Sequence, residues 1–219
     1  MNNLNIEVIA TTIGTFLAGG YICYRVCKQK IDQFLKGWHG SVSSKIPRQS
    51  QIDLKVLKRM EEVKEIMDAD RVHVYEFHNG EHYANGRSAL KVSCTYEVCR
   101  AGTQSVQRSC MSVPLSVMPK YIAAILDNPI VNVKDIESIR DSMPATYNLK
   151  FSQNVQAYTN VVILDKEKEP VGFIEVQWFD KNKFIENEHE LLRLAAFIEE
   201  NILINLDKWY KEVSNSWEH

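Results

Sequence analysis

The stretch AYTNVVILD (Ala157–Asp165), the charged run Lys166 to Glu169 and the stretch EPVGFIEVQWFD (Glu169–Asp180) decide the fold. Both stretches are rich in β-branched and aromatic residues, and the charged run between them breaks the apolar pattern, so they read as two strands joined in a hairpin. In the second strand Ile174, Val176 and Trp178 alternate with Phe173, Glu175 and Gln177. Successive side chains on a strand point to opposite faces, so the first set packs on helices and the second makes a mixed face. A half-buried antiparallel sheet is expected.

Working outward, a helix is expected from near Glu186, with Leu191, Leu194, Ala195, Ile198, Ile202 and Leu206 on one stripe and acidic residues in its first turn, where the helix dipole favours them. On the other side of the chain, Val56, Leu57, Met60, Val63 and Met67 recur at three- and four-residue steps between Gln51 and Met67, which predicts an amphipathic helix. RVHVYEFHNG (Arg71–Gly80) then reads as a strand ending in a turn, and ALKVSCTYEVCRAG (Ala89–Gly102) as its hairpin partner. The middle is less regular: Pro114 and Pro119 precede a short helix, and IVNVKDIES (Ile130–Ser138) is a brief strand running into a helix or turn.

The order helix, strand, strand, variable helical middle, strand, charged turn, strand, long helix resembles a GAF domain over residues 51–207. NVVILDKEKEPVGFIEVQWF (Asn160–Phe179) is similar to that family's closing hairpin. The resemblance implies an α/β (α+β) fold, an antiparallel sheet flanked by helices, and a regulatory or ligand-binding module rather than an enzyme. The pocket motifs with which members of that family take cyclic nucleotides or tetrapyrroles do not stand in this sequence, so the cofactor is left unknown.

Before this domain, no residue from Val8 to Tyr24 is charged, and the run VIATTIGTFLAGGYICY approaches the ~20 residues that a bilayer-spanning helix needs. The basic residues Arg25, Lys28, Lys30 and Lys36 follow it. The positive-inside rule then places the following domain in the cytoplasm of a single-pass membrane protein. Ala10, Gly14 and Ala18, with Thr11, Thr15 and Gly19, form a stripe of small residues suited to helix pairing, hence an expected homodimer. KQKIDQFLKGWH (Lys28–His39) reads as a juxtamembrane helix and Gly40 to Ser50 as a linker. The expected organisation is an anchor at 1–28, a juxtamembrane segment at 29–50, a GAF-like domain at 51–207 and a tail at 208–219. This layout also resembles the single-span holin of T-even bacteriophages, which implies a second reading: a lysis-associated membrane protein whose domain drives assembly.

A formal net charge of -2, from 26 basic and 28 acidic side chains, gives no footprint for nucleic acid. Five cysteines, Cys23, Cys27, Cys94, Cys99 and Cys110, are odd in number and make no disulfide framework. The densest functional cluster is EFHNGEHYANGR (Glu76–Arg87). Polar side chains on a loop carried by a rigid sheet are what a binding site needs. The expected ligand-binding residues are His78, Asn79, Glu81, His82, Tyr83 and Arg87, with Arg108 as a cation for a carboxylate or phosphate. The spacing of His78 and His82 suits a shared face on a helix, whereas the Asn-Gly pairs argue for turns, so no metal is expected. No spacing joins Cys94 or Cys110 to His78 as a nucleophile pair, and no catalytic residue is assigned. The sequence thus predicts a membrane-anchored, non-catalytic GAF-like regulatory module that partners the bilayer, self-associates and binds a small molecule or a protein.

Overall fold

The computed structural model describes residues 21, 24, 25, 27–30, 46, 47, 49–80, 82, 86 and 88–203, the last two by their backbone alone. The chain divides into two compact units, Met1–Gln51 and Ile52–His219. In the first, the described residues are helical and exposed.

Among the described residues no helix is long and apolar enough to cross a membrane. That corrects the expectation of an N-terminal membrane span. Of the run from Val8 to Tyr24 only Tyr21 and Tyr24 are described, and the neighbouring described positions Arg25, Lys28 and Lys30 are charged. Single-pass topology, membrane localisation, the cytoplasmic orientation, the bilayer as partner and the holin-like layout are withdrawn with it. So is the homodimer argued from the small-residue stripe, which lies outside the described residues, as do most of the juxtamembrane helix and linker and all of the 208–219 tail.

The second unit carries a six-stranded sheet: β1 (Arg71–His78), β2 (Lys91–Cys99), β3 (Val113–Pro114), β4 (Ile130–Val133), β5 (Ala157–Leu164) and β6 (Pro170–Trp178). Its order is β3-β2-β1-β6-β5-β4, and every neighbouring pair is antiparallel. The hairpin expected from the sequence is β5–β6, closed by Asp165: its backbone N–H donates to Glu169 O (2.9 Å), its carboxylate accepts from the Glu169 N–H (2.8 Å), and Lys168 sits in the left-handed region at φ 64°.

One face of the sheet is covered by α1 (residues 52–66) and α4 (Glu188–Ile198). Val56, Met60 and Val63 from α1 and Leu191, Leu194 and Ile198 from α4 meet Val72, Val74, Ile174, Val176 and Trp178 of β1 and β6. Each such side chain taken from water contributes ~1.5–3 kcal/mol. Trp178, wholly buried, also donates its indole N–H to Met67 O (2.9 Å). α4 starts where Asn187 caps the Glu190 N–H (3.2 Å), so it begins close to Glu186 as expected. It runs into a π-helical turn at Glu199–Leu203 instead of continuing as one α-helix towards Leu206.

The opposite face is covered by the middle of the chain. α2 (Pro119–Asp127) begins at Pro119, whose missing N–H costs nothing at the first helical position. α3 (Pro144–Ser152) starts on Pro144 in the same way. The sequence reading did not separate α3, because the residues it buries are Thr146, Tyr147 and Lys150 rather than an apolar stripe.

Candidate functional site

The two faces of β1 differ in chemistry. Val72 and Val74 join the first core, while Arg71, His73, Tyr75 and Phe77 alternate with them onto the face beneath α2 and α3. The β1–β6 register sets Arg71 opposite Gln177, His73 opposite Glu175 and Tyr75 opposite Phe173. A bulge in β2 across from Val74 and Tyr75 inserts Thr95 between Cys94 and Tyr96. An extra residue in one strand re-aims the side chains beyond it. Cys94 and Glu97, three apart, thereby reach the same face, and Glu97 meets His73.

A chain of buried polar side chains results. The Arg71 guanidinium donates to Gln177 Oε1 (3.0 Å) and Gln104 O (2.8 Å). His73 shares a hydrogen bond with Glu97 through Nε2 (2.9 Å) and lies 3.7 Å from Glu175 through Nδ1. Glu97 also accepts from Ser105 and from the Val106 N–H. Lys150 Nζ reaches both oxygens of Glu175, at 2.6 and 2.5 Å, and Gln177 and Tyr121 donate to the same carboxylate. The Lys150 ammonium lies 5.2 Å from the ring centroids of both Tyr121 and Tyr158.

Burial opposes ionisation of Glu175, but the charge of Lys150, the neighbouring His73 ring and the hydrogen bonds from Lys150 outweigh it and hold the carboxyl well below the usual range. Burial likewise opposes ionisation of Glu97, and hydrogen bonds from His73, Ser105 and Val106 bring its pKa down to about 2. Burial and the Glu175 charge push the Tyr75 and Tyr121 hydroxyls far up, so both stay protonated donors.

Beside this network lies a cavity of about 230 Å³. Its floor is Tyr75, Val92 and Phe173 on the sheet, with the Tyr75 and Phe173 rings stacked at 4.6 Å. α2 contributes Tyr121 and Ile122, and α3 contributes Ala145, Leu149 and Lys150. The segment from Ser109 to Met118, which carries β3, closes the remaining side with Cys110, Val113 and Val117. Apolar walls with a few convergent polar groups are the usual make-up of a small-molecule site. Among the described residues, Lys150 is the one charged side chain in the lining.

Of the residues expected from the sequence to bind a ligand, Glu81, Tyr83 and Arg87 lie outside the described residues. His78, at the end of β1, shares a hydrogen bond with Ser93 Oγ (2.9 Å). Asn79 and His82 are exposed, the latter bridged to Ser88. Arg108 is exposed on the 3-10 turn Gln107–Cys110. None of these described residues lines the cavity. Cys94 is buried, donates to Tyr96 O (3.3 Å), and has its thiol pushed far up by burial, which works against a nucleophilic thiolate. Among the described residues no cluster of three His, Cys, Asp or Glu could hold a metal ion.

The network residues His73, Glu97, Lys150, Glu175 and Gln177 were not singled out as a site by sequence. A signal was available: Arg71-His73-Tyr75 and Glu175-Gln177 place polar residues at alternate positions beside Val72 and Val74 in one strand and Ile174, Val176 and Trp178 in the other. Two adjacent strands of that kind bury polar groups together, and buried polar groups require partners.

No protein-family model and no curated protein matches the sequence. Among solved structures, the chain is similar to the GAF domain of PixJ from Thermosynechococcus elongatus in its blue-light absorbing form, with a TM-score of 0.57, 14% identity, and coverage of 78% of this chain and 95% of that one. It is similar to the chromophore-binding domain of the bacteriophytochrome RpBphP3 from R. palustris, with a TM-score of 0.54 and 16% identity over 79% of this chain and 63% of that one. The red/green cyanobacteriochrome NpR6012g4 gives a TM-score of 0.52 and 16% identity over 73% and 96%. These likenesses show a GAF-like α+β fold, with the sheet flanked by helices.

Proposed function

We propose that the second unit is a non-catalytic GAF-like regulatory module that binds a small molecule in the cavity between the sheet and helices α2 and α3, and signals its occupancy to a protein partner. The observation that carries this reading is the cavity itself, floored by Tyr75 and Phe173 and ending on Lys150, which is paired with Glu175. The ionisable groups at that end are committed to one another, which suits a fixed recognition element better than an acid or base that must exchange protons. The similar structures are described as cyanobacteriochromes and a chromophore-binding domain. At about 230 Å³ the cavity falls below the ~300–1,000 Å³ typical of pockets that enclose drug-sized ligands, so the proposed occupant is smaller than a tetrapyrrole.

A fragment library screened by thermal shift tests this reading. Hits that stabilise the protein and lose their effect in Leu149→Trp, whose indole would fill the cavity, support it. Hits that act equally on both proteins place binding elsewhere.

A further inference from the structure

Resting on the reading that the cavity is a binding site, we infer that its occupant is an uncharged molecule with an apolar body about the size of one six-membered ring and a single hydrogen-bond acceptor directed at Lys150. An apolar cavity of ~150 Å³ accommodates benzene, so about 230 Å³ has room for a ring and one substituent.

The charge requirement follows from the pairing of Lys150. Both carboxylate oxygens of Glu175 chelate its ammonium, so its charge is already compensated. Deeper in the same face, Arg71 lies 3.7 Å from Glu97, so each fixed cation there faces a carboxylate. An anion entering the cavity would meet a neutralised lysine and, directly behind it, the Glu175 carboxylate. A cation would find two aromatic rings on the floor, which favour it. It would also share the cavity with the Lys150 ammonium, while the carboxylate that could balance it is engaged by that ammonium. Either ion would lose its hydration without a free counter-charge, and burial of an uncompensated ion is costly.

The acceptor requirement follows from donor bookkeeping. An ammonium has three N–H donors, and Glu175 takes two. The other polar lining groups are directed elsewhere: Tyr75 towards His73, Tyr121 towards Glu175 and Asn160, Ser109 towards Val106 O, and the Gln153 amide N–H towards Cys110 Sγ (3.9 Å). Lys150 therefore keeps one donor for an occupant at the otherwise apolar end of the cavity. A carbonyl oxygen on a ring is the simplest partner.

Isothermal titration of the full chain with four matched probes tests the inference: acetophenone, ethylbenzene, benzoate and benzylammonium. The expected result is saturable binding of acetophenone, with benzoate and benzylammonium weaker by ~10-fold or more and ethylbenzene intermediate. In the isosteric double variant Lys150→Met/Glu175→Gln, acetophenone should lose its advantage over ethylbenzene. Benzoate or benzylammonium binding as tightly as acetophenone overturns the inference and leaves the cavity reading intact. Failure of all four probes to bind overturns both.

Discussion

Lys150 on α3 and Glu175 on β6 form a chelated ion pair, with Nζ at 2.6 and 2.5 Å from the two carboxylate oxygens and both residues at most 2% exposed. The pair fastens the helical middle of the chain to the central strands, and its lysine lines the cavity. Breaking a buried pair from one side leaves an uncompensated charge, whereas removing both charges together can be nearly neutral. Lys150→Met should therefore lose ~3–5 kcal/mol in urea unfolding, and Lys150→Met/Glu175→Gln should recover most of that loss. Additive losses would show that the two side chains are not coupled.

The acid limb of stability should depend on Glu97. Its folded pKa of about 2 lies below its ordinary value of 4.5, so its contribution is complete above pH 4.5 and is lost as the pH falls towards 2. Glu175, also lowered, acts in the same sense. Glu97→Gln should flatten the fall of unfolding free energy across this window without removing it, measured by denaturant titration at successive pH values.

Two tyrosines on the cavity side should respond oppositely to loss of their hydroxyls. Tyr121 O–H faces Glu175 and Asn160, so Tyr121→Phe should cost ~1–3 kcal/mol. The Tyr158 hydroxyl is buried without a hydrogen-bond partner, so Tyr158→Phe should be neutral or stabilising by about 1 kcal/mol while keeping the ring beneath Lys150. Thermal unfolding of the two variants gives the comparison directly.

Gly172 is required by close approach rather than by its dihedral angles. A Cβ there would overlap the Tyr75 carbonyl oxygen on the neighbouring strand. Gly172→Ala should force β1 and β6 apart beside the Tyr75–Phe173 stack and cost about 3 kcal/mol, as overpacked cores do. Equilibrium unfolding with the wild-type denaturant midpoint would contradict this.

The sheet and its first core were legible because their signals are local and periodic. Ile174, Val176 and Trp178 recur at two, Val56, Met60 and Val63 at three and four, and these periods are properties of isolated segments. α3 was not legible, since its inward face carries Thr146, Tyr147 and Lys150, whose burial makes sense only beside Glu175, 25 residues further along. The cavity was not legible, because its walls come from five separate stretches of chain: Tyr75, Val92, the run from Ser109 to Ile122, the run from Ala145 to Gln153, and Phe173. The expected loop residues attracted notice through residue type, and residue type at a strand end does not say which side chains converge. The apolar run before Tyr24 matched a membrane helix in composition, yet no described helix has that character.

Whether binding occurs in the cavity over the second face of the sheet is tested by amide chemical-shift mapping of the first fragment found to stabilise the protein. The largest shifts should fall at Tyr75, Leu149, Lys150 and Phe173, and Leu149→Trp should abolish them. Shifts centred instead on His78, Asn79, His82 and Arg108, unchanged in that variant, would contradict binding in the cavity.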